Sequence, residues 1–359
     1  KLFWKSLMPE HKLFTIQSFT HFIHRFFLPL LLASYALAAC APQLGLSLRQ
    51  ISFGTITLPA LGQTNVSPSL VMLSFLLFNA GLGIQTKELW GLRQKPQLLL
   101  VGFLANMIVP ILLIITLRGV MGLWHNSDEL HNLLVGLALI IAMPIAGSSA
   151  AWAQNANGNL GLSLGLVLLS TILSPLTTPL VLHLFGFMTK GDFAEDLHEM
   201  AQQDTNAFLC LTVVLPSLLG MSVHYVIGEK RTSCIKPCLK LVNFIVLLLL
   251  NYSNAATSLP QAFSRPDWDF LGFILGTTIA VCTVAFFAGW LVSWFFKTDK
   301  SDKAALMFSL GMNNNGTGLV LAATALADHP AVMLPMIFYT FVQQVIAAVV
   351  DWRIFKTED

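Results

Sequence analysis

Two stretches decide how this chain is read: Met143-Pro-Ile-Ala-Gly-Ser-Ser-Ala-Ala-Trp-Ala-Gln154 and Ser309-Leu-Gly-Met-Asn-Asn-Asn-Gly-Thr-Gly318. Each sits inside a long apolar run and carries residues that a continuous membrane helix accommodates badly. Pro144 has no backbone N–H to donate, and Gly147, Gly311, Gly316 and Gly318 allow the backbone to leave the helix. Asn313, Asn314 and Asn315 are consecutive, so their side chains fan out about 100° apart and cannot all face one neighbouring helix. An unpaired amide in hydrocarbon is costly. The cluster therefore predicts a broken helix that lines a cavity, whereas isolated polar residues such as Asn79, Asn243 and Thr277 read as interhelical hydrogen-bonding groups.

The rest of the chain supplies the membrane around these breaks. Of 359 residues, 55% are hydrophobic and only 11% charged, and the mean hydropathy is +0.71. A soluble domain carries about 25% charged residues, so the composition excludes that class together with disorder. A formal net charge of +2 gives no field for a polyanion, which excludes a nucleic-acid binder. Five cysteines are too few and odd in number for a disulfide framework. Cys234 and Cys238 have no second ligand pair to make a zinc site, and no Gly-x4-Gly-Lys-Ser/Thr motif cradles a nucleotide. No organic cofactor and no enzyme activity is expected.

Windows free of Asp, Glu, Lys and Arg place the spans, each needing about 20 apolar residues to cross about 30 Å of hydrocarbon. The windows 26–48, 50–86, 96–117, 130–189, 205–228, 241–264, 270–296, 304–327 and 329–350 predict ten spans, because 130–189 holds two, separated at Asn155-Ala-Asn-Gly-Asn159. Their expected bounds are 24–42, 69–86, 96–118, 132–155, 160–187, 206–228, 235–255, 269–296, 303–325 and 329–350, with a polar loop from Gln50 to Ser69. Sixteen of the 20 basic residues then fall on the side of the N-terminus, and only Arg49, Arg118, Lys190 and Arg265 on the other. By the positive-inside rule this is a multi-pass inner-membrane protein with both termini cytoplasmic. Residues 1–23 form a cytoplasmic or interfacial segment whose Lys12, His21 and neighbouring charges are unlike a signal peptide. His183 and His224 read as interfacial side chains near span ends. No Asp or Glu falls inside a span, so no buried carboxylate is expected to neutralise Na⁺ or carry a proton.

Five spans plus five suggest an inverted repeat, 24–187 and 206–350, with the two breaks in the fourth span of each half. Transporters built this way bind substrate and ions where corresponding helices are broken, with half-helix N-termini open to an anion and free carbonyls to a cation.

At these residues the chain resembles the bile acid:sodium symporter family. The family's ninth-span pattern Glu-x-Gly-Met-Gln-Asn is matched by Ser309-Leu310-Gly311-Met312-Asn313-Asn314. Its Pro-Gly-Gly-x-x-Ser-Asn, Ala-Leu-Ser and Ser-x-Leu-x-x-Pro-Leu-x-Thr-Pro patterns resemble Pro144 to Ser149, Leu162-Ser163, and Ser170 to Pro179. The family's third-span glutamine falls on Asn106. The resemblance implies an all-α fold with a panel domain (spans 1, 2, 6 and 7) and a core domain (spans 3–5 and 8–10), in which spans 4 and 9 cross. It implies transport of an organic anion such as a bile acid, a sulfated steroid or a small carboxylate by alternating access, by a monomer or homodimer in the lipid bilayer.

The resemblance also assigns sites. One family sodium site falls on Ser149, Ala150, Ser163, Val167 and Ser309, where several ligands and the glutamate are lost. The other falls on Asn106, Asn313 and the carbonyls of Ser309, Leu310 and Met312. Ser170 is expected beside the first site. Ser148, Asn314, Asn315 and Thr317 are expected to face substrate, with Gln343 and Gln344 of span 10 contributing. Sodium-coupled symport, sodium-independent carriage and a transporter-derived binding protein all stand open at this point.

Overall fold

The computed structural model describes residues 26–58, 62–84, 95–202 and 204–356; the expected N-terminal segment 1–23 lies outside them. The molecule is mostly helical. Helix α1 (Phe27–Cys40) is followed, after a bend of 84°, by α2 (Gln43–Gln50). A hairpin of β1 (Thr55–Leu58) and β2 (Gly62–Asn65), antiparallel with Thr55 opposite Asn65, occupies the expected polar loop. Helix α3 (Pro68–Gly83) starts where the Ser67 side chain accepts from the Leu70 amide and Pro68 takes the first turn. Then come α4 (Pro96–Met121), α5 (Ser127–Ala142), α6 (Ser148–Asn155), α7 (Leu160–Gly186) and the short α8 (Asp192–Gln202). Helix α9 (Asp204–Leu209), one π-helical turn (Cys210–Val214) and α10 (Leu215–Ile227) make one apolar rod. It is followed by α11 (Glu229–Ala255), α12 (Leu259–Ser264), α13 (Trp268–Phe295), α14 (Lys300–Gly311), α15 (Asn315–Ala325) and α16 (Met333–Val350).

Among the described residues six helical segments are long and apolar enough to cross a membrane, or seven if the bent pair α1–α2 is one span. The remaining expected spans are the 16-residue α3 and the two interrupted pairs, α5 with α6 and α14 with α15. Helix α3 packs on α10, and α11 on both α1 and α3; separately, α13 packs on α14, α16 and α4, and α7 on α5. The α3–α10 seam is very close: a Cβ added to Gly220 would lie 2.0 Å from the Phe78 carbonyl oxygen, and one added to Gly81 2.0 Å from that of Ser217.

The ion pairs among the described residues sort to the two ends of the bundle. At one end Lys95 pairs with Asp302, Asn159 Nδ2 donates to Asp302 Oδ1 (2.8 Å), and Asn155 Nδ2 and Lys356 Nζ both reach Asp351 Oδ2 (2.9 Å each). The hydrogen bond to Asp302 holds the Lys95 ammonium above its ordinary pKa. At the other end His329 pairs with Asp196 and His125 with Asp269 (3.5 Å each). Asp302 and Asp351 are buried, which corrects the expectation of no buried carboxylate: both sit at helix ends, and Asp351 lies within the apolar segment Pro330–Phe355. The histidines differ as well. His224 is buried with Nδ1 2.9 Å from the Leu82 carbonyl, and the exposed His183 faces His198, Nδ1 to Nδ1, at 2.9 Å.

Candidate functional site

The two breaks meet. After Ala142 the chain runs extended through Pro144 and Ile145, and after Gly311 it runs extended through Met312. The two extended pieces pair antiparallel, Ile145 opposite Asn313. The Ala146 amide donates to the Met312 carbonyl (2.9 Å) and the Asn314 amide to the Pro144 carbonyl (2.8 Å). Backbone groups released by the broken helices are thereby paired with each other, which is what makes such breaks tolerable at membrane depth.

None of the break glycines has a positive φ; Gly54, Gly62, Gly191 and Gly228 are the described glycines that do. Gly311 is the last residue of α14, and a Cβ there would lie 2.2 Å from the Phe286 ring. Gly316 and Gly318 lie inside α15, where a Cβ on Gly318 would approach Met143 to 3.1 Å. Gly311 and Gly318 therefore serve close packing around the crossing, and the extended turn is made by Met312 to Asn314. Gly147 precedes the first turn of α6 without a side-chain cap.

Asn313 is the hub. Its backbone amide donates to Gln343 Oε1 (3.1 Å) and its Nδ2 to the Ile140 carbonyl (2.9 Å). Its Oδ1 accepts from Asn106 Nδ2 (3.3 Å), which also donates to the Leu310 carbonyl (3.2 Å). On the far side Ser163 Oγ lies 3.0 Å from Ser309 Oγ. Ser170 Oγ accepts from the Ile145 amide (3.0 Å). Ser149 is fully buried and its hydroxyl has no partner.

These residues test the two expected sodium positions. At the second, the Leu310 and Met312 carbonyls already accept from Asn106 Nδ2 and the Ala146 amide, and both side chains present are neutral amides. At the first, three neutral hydroxyls remain, those of Ser149, Ser163 and Ser309, beside apolar Ala150 and Val167. Among the described residues no cluster of three or more His, Cys, Asp or Glu could hold a metal. The oxygens at both positions are neutral hydroxyls, amides and carbonyls, so a cation there would be held without a compensating charge from the described residues.

Beside the crossing lies a cavity of about 470 Å³. Gly147 and Ser148 at the start of α6, and Asn313 to Gly316 at the start of α15, form one wall, so both half-helices present their N-termini to it. Gln343 and Gln344 of α16 join them; Trp152 Nε1 holds Gln344 Oε1 (3.0 Å). The opposite wall comes from α3 and α11 and is largely leucine, with Asn79 Nδ2 donating to Asn243 Oδ1 (3.2 Å). Lys236 and Lys240 line it at one end, and no Asp or Glu is among its described lining residues. Of the residues expected to face substrate, Thr317 alone is elsewhere: it is buried, off the cavity wall, with its amide capped by Asn314 Oδ1 (3.4 Å). Lys236, Lys240 and Asn243 escaped notice as site residues, although their spacing puts them on one helix face with Asn251.

A polytopic helical membrane protein with two broken helices crossing beside such a cavity belongs among the membrane transporters. The sequence pattern of the SBF-like CPA transporter family matches residues 25–354, and the chain belongs to that family, whose members resemble the bile acid:sodium symporters. It is therefore a transport protein and not an enzyme. It is similar to "uncharacterized protein YbaS" of Bacillus subtilis, 27% identical over 225 residues, 63% of this chain and 70% of YbaS. It is also similar to "uncharacterized sodium-dependent transporter YocS" of the same organism, 22% identical over 266 residues, 73% of this chain and 75% of YocS.

Proposed function

We propose that this chain is a secondary carrier of an organic anion, working by alternating access without an obligatory bound sodium ion. One observation carries the reading. The cavity beside the crossing has the positive ends of two half-helices on one wall and Lys236 and Lys240 at one end, with no described acid facing it. Helix N-termini attract anions, and leucine-rich walls suit the apolar body of an amphipathic carboxylate or sulfate.

The finer architecture belongs to the same proposal: ten spans in two inverted repeats, with α1, α3, α10 and α11 as a panel moving against a core of α4 to α7 and α13 to α16. The reciprocal antiparallel pairing of the breaks, the closer packing within each group than between them and the sorting of charges to two ends support it. The end carrying Lys95, Asp302 and Lys356 is assigned to the cytoplasm.

The test is thermal stability of the solubilised protein titrated with taurocholate, a steroid sulfate and short carboxylates, each beside its uncharged counterpart, in NaCl and in choline chloride of equal ionic strength. A ligand at 100 times its Kd stabilises by about 2.7 kcal/mol. The expected result is saturable stabilisation by at least one anion, absent with the uncharged form and equal in both salts. Stabilisation confined to NaCl would replace this reading with sodium-coupled symport, the version that the name of YocS favours. No response to any anion would remove the anion reading.

A further inference from the structure

The polar face of α11 continues past the point where the cavity stops. Lys236, Lys240, Asn243 and Asn251 line the cavity at helical spacing; Asn254 follows in that register in the last turn of α11, and Ser258 lies just beyond it, in the turn that starts α12. Asn254 is fully buried and neither its Nδ2 nor its Oδ1 has a partner; the buried Ser258 hydroxyl has none either. Two such residues, one in the last turn of α11 and one in the turn after it, are expensive in a permanently packed seam. Ser258 in turn lines a second, smaller cavity of about 130 Å³ at the other end of the bundle, together with Arg265 and Asp267. Unpartnered polar atoms thus bridge the interval between two cavities.

A single guanidinium fastens the same region. Helix α2 lies against α11 where Ser253 Oγ donates to the Gly45 carbonyl (3.2 Å). One turn beyond Gly45, Arg49 Nη2 donates to the Ala323 carbonyl in the last turn of α15, while Nη1 is buried with no partner. Arg49 therefore ties α2, which packs with α11, to the half-helix whose other end faces the large cavity.

We propose that Asn254 and Ser258 line the closed half of the transport path, and that Arg49 is the latch that holds this half shut by gripping the C-terminal end of α15. The inference rests on the alternating-access reading above. When the seam opens, the amide and hydroxyl gain water or solute as partners, and the freed guanidinium becomes the cationic group that an anion meets at that end.

The experiment is thiol labelling of the full chain in sealed vesicles, with the native cysteines replaced and a membrane-impermeant maleimide added to one side or the other. N243C tests the large cavity and is expected to label from the side of Lys240. N254C is expected to label from the opposite side only. Its rate should rise about tenfold in the R49A and R49Q backgrounds, as losing one charge-assisted hydrogen bond predicts, and stay at the parent rate with R49K. A255C, at a buried position of the same helix, should stay unlabelled. Labelling of N243C without any labelling of N254C in the R49A, R49Q or R49K proteins overturns the inference and leaves the cavity reading standing. Equal gains at A255C and N254C overturn it as general loosening, and failure of N243C removes the reading beneath it.

Discussion

At the scale of single residues, Asn313 organises the crossing because one asparagine serves three neighbours at once: α4 through Asn106, whose Nδ2 also donates to the Leu310 carbonyl of α14, α5 through the Ile140 carbonyl, and α16 through Gln343. Replacing it with leucine strips a partner from the Ile140 carbonyl and from Asn106 inside the protein. Asn313→Leu is expected to cost about 2–4 kcal/mol, from two lost hydrogen bonds and the groups they leave unpaired. It should also abolish the anion-dependent rise in melting temperature. Unchanged ligand response in a stably folded variant would show that the hub is structural only. Sequence alone pointed to Asn313, since three adjacent amides cannot share one helix face. It did not point to Lys236 and Lys240, because lysines at a span end already satisfy the positive-inside rule and that explanation hides a second role.

Among elements, the α3–α10 seam makes the most demanding packing statement. Gly81 and Gly220 each leave room for the other helix's backbone, with carbonyl oxygens where a Cβ would stand. Gly220→Ala must therefore push two helices apart, and overpacking of this kind costs about 1–3 kcal/mol. The expected result is a lower melting temperature, with a weaker fall for Gly83→Ala, where nothing lies within 4 Å. Equal effects would place the seam's rigidity elsewhere. The apolar windows located the long helices well, because charge is what a bilayer excludes. The same logic fails at helix ends. A charge used to terminate a span cannot also be recognised as buried, so Asp302 and Asp351 were missed. Helix α2 was missed for a related reason: Arg49 closes an apolar window, and nothing in composition tells a bend of 84° from the end of a helix. The breaks were legible from Pro144 and the asparagines, but their mutual pairing was not, since a backbone bridge between Ile145 and Asn313 leaves no mark on side-chain chemistry.

For the molecule as a whole, the single sign of charge around the large cavity is the feature on which function turns. A net charge of +2 over the chain says nothing by itself; what matters is that the described cavity residues include two lysines and no acid. Neither lysine has an ion-pair partner among the described residues. Lys236 is half-buried and Lys240 exposed. A more buried charge is less screened, and the Lys236→Gln change should therefore weaken binding more than Lys240→Gln. The double variant is expected to raise the Kd for the best anion by about tenfold at low ionic strength, the equivalent of about 1.4 kcal/mol. That effect should shrink as added salt brings the Debye length below about 10 Å. Binding of the uncharged counterpart should not change. A double variant that binds the anion as tightly as the parent at every salt concentration would leave the two half-helix N-termini as the sole source of anion selectivity. In that case the affinity should survive the lysine changes and instead fall when Asn314 or Ser148, at the starts of α15 and α6, is replaced by leucine.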